Sequence, residues 1–177
     1  SPFKTLDDLI SFAKKNPGGL TIGGSGTWDA THIANLQFDM MAEIETTYVP
    51  HKGGKPKQTS LLGGHTMASW FGPNEKMPHG DKVRTLAYAT EEPIQVSPEV
   101  PTFKSYGYPL YSSVYHGVGV PKGTPAERIE VLEKAFLKIA DLDETKKVKL
   151  KVGIMPIALD SASAQKLNAE KRVAWEP

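Results

Sequence analysis

Glycines at positions 23, 24 and 26, interleaved with Ser25 and Thr27 and followed by Asp29 and Thr31, stand between an apolar run and the start of a helix. That order of residue types builds an anion cradle. Glycine lets the backbone approach a ligand closely, and the first turn of the following helix presents unpaired N–H groups at the positive end of its dipole. A carboxylate or a phosphate suits such a site. The loop has neither the lysine nor the spacing of a Walker A loop, and its glycines do not make G-x-G-x-x-G, which argues against nucleotide binding. A strand-to-helix turn also uses glycine for geometry alone, so the loop by itself leaves both readings open.

No catalytic set accompanies it. Ser, His and Asp are all present, yet no G-x-S-x-G elbow frames a serine and no second base stands beside a candidate nucleophile, so the chain reads as a binding protein rather than an enzyme. His51, His65, His79 and His116 show no H-x-x-x-H or other metal spacing, and neither a metal nor a cofactor is expected. His32, in the first turn after the loop, is expected to pack against the sheet edge more than to touch a ligand. The lysines between 146 and 151 read as a solvated helix face.

The elements that must hold the loop follow from periodicity. Thr5-Leu6-Asp7-Asp8 predicts a helix start with Thr5 as N-cap, followed by one apolar stripe of Leu6, Leu9, Ile10 and Ala13, and Asn16-Pro17-Gly18-Gly19 ends it. Leu20 begins a strand. Asp29 then caps a helix reaching to about Glu43, whose Ile33, Leu36 and Met40 recur on one face, and Glu45 to Pro50 forms the next strand. The turn His51-Lys52-Gly53-Gly54 leads into a polar helix that glycine stops at Leu61-Leu62-Gly63-Gly64. His65 to Phe71 and Val83 to Thr90 read as two more strands, giving a doubly wound α/β sheet whose ligands would sit at the carboxyl ends of its strands.

Glu91 to Tyr111 is rich in Pro, Ser and Gly and reads as a connecting loop. Beyond it, Val114 to Val120 is predicted as a strand. Thr124-Pro125-Ala126-Glu127 predicts a capped helix start, with Thr124 as N-cap and Glu127 completing a capping box, and Ile129, Leu132, Phe136 and Ile139 form the buried face. Gly153 to Ile157 reads as a short edge strand before a last helix from Ser161. This tail is meagre for an independent domain.

Composition sets outer bounds. The 177 residues carry 39% apolar and 23% charged side chains with a formal net charge of +1, an ordinary globular balance with no basic stripe for nucleic acid. Cysteine is absent, which removes disulfides and thiolate chemistry and suits an exported bacterial protein. No run of eighteen apolar residues is present, and Ser1-Pro2-Phe3-Lys4 does not look like a signal-peptide core.

Taken in order, Ser1-Pro2-Phe3-Lys4-Thr5-Leu6-Asp7-Asp8-Leu9, the loop from Gly23 to His32, Tyr48-Val49-Pro50-His51-Lys52-Gly53, Leu61-Leu62-Gly63-Gly64, Arg84-Thr85-Leu86-Ala87, Val100-Pro101-Thr102-Phe103, Gly117 to Pro125 and Trp175 carry a resemblance over nearly the whole chain. The series resembles the solute-binding proteins of tripartite tricarboxylate transporters, the Bug family of periplasmic receptors. The resemblance implies a Venus-flytrap fold of the type II periplasmic-binding-protein class, in which two α/β lobes close over a small organic carboxylate. Residues 1–112 would then be the second lobe and 113–177 the C-terminal portion of the first, whose N-terminal part this chain lacks. The tail would expose apolar surface that promotes self-association.

The resemblance also implies the site. Backbone N–H groups of Ser25, Gly26 and Thr27 and of Lys52, Gly53 and Gly54 would hold one ligand carboxylate, with the Thr27 and Thr31 hydroxyls as further donors. Two departures bear on selectivity. Trp28-Asp29 stands where the family has a small polar residue, and Asp29 would repel a carboxylate unless it turns inward as the helix cap. Trp70-Phe71-Gly72 stands where the family has Phe-Asp-Asn, so Phe71 enlarges an apolar wall and Gly72 borders it, hinting at a more apolar or aromatic acid. Tyr115 and His116 fall near the expected hinge crossover, where cleft lining and core packing are equal alternatives. The implied partners are an organic acid and the membrane permease subunits of a transporter; the alternative is a sensing module of the same fold reporting to a signalling partner.

Overall fold

Thr5 opens the first helix through reciprocal hydrogen bonds: its Oγ1 accepts from the Asp8 amide at 3.2 Å, and the Asp8 carboxylate accepts from the Thr5 amide at 3.0 Å. In this computed structural model, which describes residues 1–112, 114 and 116–175, helix α1 (Leu6–Lys15) buries Leu6, Leu9, Ile10 and Ala13 as its stripe predicts. Strand β1 (Leu20–Gly24), helix α2 (Ala30–Ala42), strand β2 (Thr46–Pro50), helix α3 (Gly54–Leu62), the two-residue strand β3 (Ala68–Ser69) and the single turn α4 (Pro73–Lys76) follow. The strands form one parallel sheet in the order β2-β1-β3. The chain divides into two units, Ser1–Tyr115 and His116–Pro177.

Register places the loops. Leu20 pairs with Thr46 and Gly24 with Pro50, so β1 and β2 end side by side, and Gly23 pairs with Ser69 at the end of β3. The segments beginning at Ser25, His51 and Trp70 therefore leave the sheet at one edge, the carboxyl edge where open α/β sheets bind ligands.

The core of the first unit gathers α1, β1, Phe38, Ala42, Phe103 and Leu110. Phe38 meets Phe103 edge-on at 5.2 Å between ring centroids, and Trp70 stacks on Phe103 at 5.6 Å. Phe103 and Leu110 come from the segment 91–111. Its backbone closes onto Tyr88, with Tyr88 N donating to Pro101 O and Phe103 N donating to Tyr88 O, each at 2.9 Å. The Pro- and Gly-rich stretch is thus irregular, as expected, but it completes the core rather than merely connecting.

Several expected elements differ. The strand expected over His65 to Phe71 shrinks to Ala68–Ser69 because the His65 and Thr66 amides are drawn onto the Ser60 carbonyl at the end of α3. Among the described residues Val83 to Thr90 forms one isolated bridge, Tyr88 to Thr102, and no strand. Helix α2 turns its other face inward: Ala34, Asn35, Phe38 and Ala42 are buried, while Leu36 and Met40 are exposed. Asn35 can be buried because its amide donates to Thr46 Oγ1 at 2.9 Å and its carbonyl accepts from Trp70 Nε1 at 3.0 Å.

The second unit holds α5 (Ala126–Asp141), α6 (Asp143–Lys151) and α7 (Ser161–Trp175). No strand is present among its described residues, so neither 116–120, the part of the expected strand Val114 to Val120 that lies in this unit, nor Gly153 to Ile157 forms the strand expected; at the latter, Ile157 N turns back to Met155 O. The capping box at Thr124 is not formed either. Thr124 Oγ1 donates to Pro121 O at 2.8 Å, and Pro125 is the N-cap, without a side-chain bond. The expected buried face of α5 is largely open: Leu132, Phe136 and Ile139 are all exposed and only Ile129 is half-buried. The lysines of 146–151 lie on α6, none of them buried. Tyr115 lies outside the described residues, and His116 is exposed.

Candidate functional site

At the carboxyl edge the two glycine bends are tied to each other. His51 N donates to Gly24 O and Gly53 N donates to Ser25 O, both at 3.0 Å, which ties the chain one and three residues past β2 to the end of β1 and fixes the spacing of the bends. Gly53 has a φ of 94°, a conformation that only glycine takes without strain, and this lets the chain reverse into α3.

The loop 25–29 spends much of its hydrogen bonding internally. Asp29 turns inward as the cap of α2, its Oδ1 accepting from the Thr31 and His32 amides at 3.0 Å each and from the Thr31 hydroxyl at 2.7 Å. The Ser25 amide donates to Thr31 Oγ1 at 2.9 Å, and the Tyr48 hydroxyl donates to Gly26 O at 2.7 Å. These bonds involve three of the expected donors. The Ser25 and Gly53 amides already have acceptors, and the Thr31 hydroxyl hydrogen is taken by Asp29, so none of these three is a free donor. Burial pushes the Tyr48 phenol above its ordinary value, which keeps that hydroxyl protonated and donating.

His32 packs rather than reaching out. Its ring lies 4.5 Å from Tyr48 and 5.1 Å from Trp28, and its Nδ1 accepts from the Trp28 amide at 3.1 Å. Trp28 itself holds a φ of 60°, unusual for a bulky residue, with its side chain 74% exposed.

Free donors remain. Among the described residues the amides of Gly26, Thr27, Lys52 and Gly54 have no acceptor. The contrast between the two helix starts is instructive: α2 is neutralised by Asp29, whereas α3 has no side-chain cap and no acidic residue in its first turn. Helix α3 thus keeps the less neutralised N-terminus of the two, although the Glu75 carboxylate of α4 lies against Gly54 at its start.

One residue escaped the sequence reading altogether. Lys57 is 1% exposed, with Nζ 3.0 Å from Ser25 Oγ and 3.0 Å from Glu75 Oε2. The same Glu75 oxygen accepts from the Gly72 amide at 2.9 Å, and the ammonium stands 5.2 Å from the centre of the Phe71 ring. Within the run Lys55-Pro56-Lys57 no residue type marked one lysine as buried, and its acidic partner lies eighteen residues away. Phe71 and Gly72 are half-buried beside this group, while Trp70 belongs to the core. Among the described residues no three His, Cys, Asp or Glu gather as a metal would require, and no helix is long and apolar enough to cross a membrane.

Comparisons give this edge a context. A UPF0065 protein from the gbd 5′ region of Cupriavidus necator is 30% identical over 175 residues, covering 96% of this chain and 52% of its own length. Protein BugT of Bordetella pertussis is 28% identical over 133 residues, covering 73% of this chain and 41% of its own length. The structure of R. palustris Rpa4515 with adipate superposes with a TM-score of 0.84 at 25% identity, covering 98% of this chain and 59% of that one. The chain thus spans about half the length of the curated relatives it matches. The model of the tripartite tricarboxylate transporter family receptor matches residues 1–177, and on that match, with the parallel α/β sheet and its glycine-rich carboxyl edge, the chain belongs to this family of solute-binding receptors.

Proposed function

We propose that this protein is a periplasmic receptor that captures a small organic carboxylate for the permease of a tripartite tricarboxylate transporter, and that the edge formed by Gly26, Thr27, Lys52 and Gly54 holds one carboxylate group. The observation that carries the reading is the uncapped start of α3 beside the glycine loop, with unpaired amides on both bends. Such amides stabilise an anion by direct hydrogen bonds, and the Glu75 carboxylate that lies against Gly54 is itself held by Lys57 and the Gly72 amide. The Ser25, Thr31 and Gly53 positions shape the bends, and Asp29 stands back as a cap.

Phe71 sets an apolar boundary beside the anion, which favours an acid with a hydrocarbon body over a heavily hydroxylated one. Adipate, the ligand in the Rpa4515 structure, has that character. In this reading residues 1–112 form the second lobe and 113–177 the returning part of the first, and the ligand leaves unchanged.

Calorimetric titration of the whole protein with linear dicarboxylates from succinate to suberate, with the acid recovered and identified by NMR, tests this. Binding of at least one acid, recovered intact, is expected. No heat from any member of the series, or chemical conversion of one, overturns the reading.

A further inference from the structure

Lys57 is buried beside the bend that carries Ser25. An ammonium group has donors and no acceptor, so in its 3.0 Å contact with Ser25 Oγ the serine oxygen accepts. The serine keeps its own hydroxyl hydrogen, and among the described residues that hydrogen has no acceptor. Oxygen that accepts from a buried cation becomes a stronger donor, because the bond polarises its O–H.

We propose that Lys57 is a positioning residue that orients and polarises the Ser25 hydroxyl, making that hydroxyl, and not the Ser25 amide, a principal donor to the ligand carboxylate. The inference rests on the receptor reading above and deepens it. Glu75 is the third member: its Oε2 accepts from both Lys57 and the Gly72 amide, so one continuous chain of hydrogen bonds runs from Gly72 through Glu75 and Lys57 to Ser25. That chain joins the bend after β1 to the bend after β3 through a side chain of α3. It also keeps the buried ammonium compensated, so the site gains a directed donor without a bare cation.

The arrangement makes the hydroxyl selective. A carboxylate accepts a polarised O–H strongly, whereas a primary amide gains much less and brings N–H groups of its own toward the cradle. The site should therefore discriminate adipate from adipamide through Ser25 and Lys57 together.

Titration of the whole protein with adipate and with adipamide tests the proposal in four proteins: wild type, Ser25→Ala, the double variant Lys57→Met/Glu75→Gln, and the triple combination. The double variant removes both charges at once, so no lone carboxylate is left buried. Ser25→Ala retains the backbone and its bond to Thr31. Each of the two variants should weaken adipate binding by about tenfold or more, the loss of one charge-assisted hydrogen bond, leave adipamide binding nearly unchanged, and lose no more when combined. Urea unfolding of each protein reports whether the fold persists. Unchanged adipate affinity in folded Ser25→Ala, or losses that simply add, overturn the role of Lys57 while leaving the receptor reading intact. A wild-type protein that binds no dicarboxylate removes both.

Discussion

The hydroxyl of Tyr48 occupies the space that a side chain on Gly24 would need. From there it bonds the Gly26 carbonyl at 2.7 Å and lies 2.9 Å from Thr31 Oγ1, so a residue of β2 fixes the shape of the loop after β1. The absence of a Cβ at Gly24 is what admits the phenol. Gly24→Ala should force Tyr48 out of this position and cost about 1–3 kcal/mol, the usual range for overpacking a buried site. Urea unfolding measures it, and a cost below about 0.5 kcal/mol, the range of a neutral surface change, would mean that Tyr48 can relocate freely.

Gly26 is the opposite case. Its backbone lies outside the left-handed region, and the three atoms nearest to a Cβ there all belong to Asp29, the closest being Oδ2 at 3.4 Å. Gly26→Val should fold with an unfolding midpoint close to wild type, yet its branched side chain stands over an unpaired amide. Adipate binding should weaken by about tenfold or more, as for one charge-assisted bond lost. Calorimetry that returns wild-type affinity would remove Gly26 from the cradle.

How much of this was legible in the sequence depended on whether the cause was local. The Thr5 capping box, the Asp29 cap and the glycine stop after Leu62 are decided within a few residues, and all three are present in the fold. The buried face of α2 was not legible, because that helix carries apolar residues on more than one side and the choice between Met40 and Phe38 is made by the distant aromatics Trp70 and Phe103. Lys57 and Glu75 form their pair across α3 and α4, and neither residue type announces burial. The free and occupied amides of the two bends could be told apart only once the Ser25 to Thr31 and Gly53 to Ser25 bonds were seen.

Asp29 separates the capping role from a ligand role. Removing its carboxylate in Asp29→Ala leaves the Thr31 and His32 amides without an acceptor and should lower stability by about 1 kcal/mol, typical for a lost N-cap. Adipate affinity should not fall, since the carboxylate contributes a like charge near the site rather than a contact. A loss of affinity in a protein whose midpoint has moved only as expected would place Asp29 in the binding machinery.

Asp39 gives the fold a pH dependence of defined sign. Burial is the main cause raising its carboxyl above the ordinary 3.8, with the charge of Glu45 acting in the same direction and the hydrogen bonds from Thr46 opposing both. Folding therefore favours the protonated acid. Its stabilising share is complete below the unfolded value and is lost as pH rises through the higher folded value, because the folded chain holds more protons than the unfolded one across that window. Asp39→Asn keeps a carbonyl that can accept from Thr46 Oγ1 and has no proton to lose. The stability of wild type relative to Asp39→Asn should accordingly decline as pH rises above the ordinary 3.8, measured by urea unfolding at each pH. A difference that stays constant, or that grows with pH, would show that the acid is no harder to ionise in the folded protein than in the unfolded chain, and the Asn35–Thr46–Asp39 group would then be a scaffold without a titrating member.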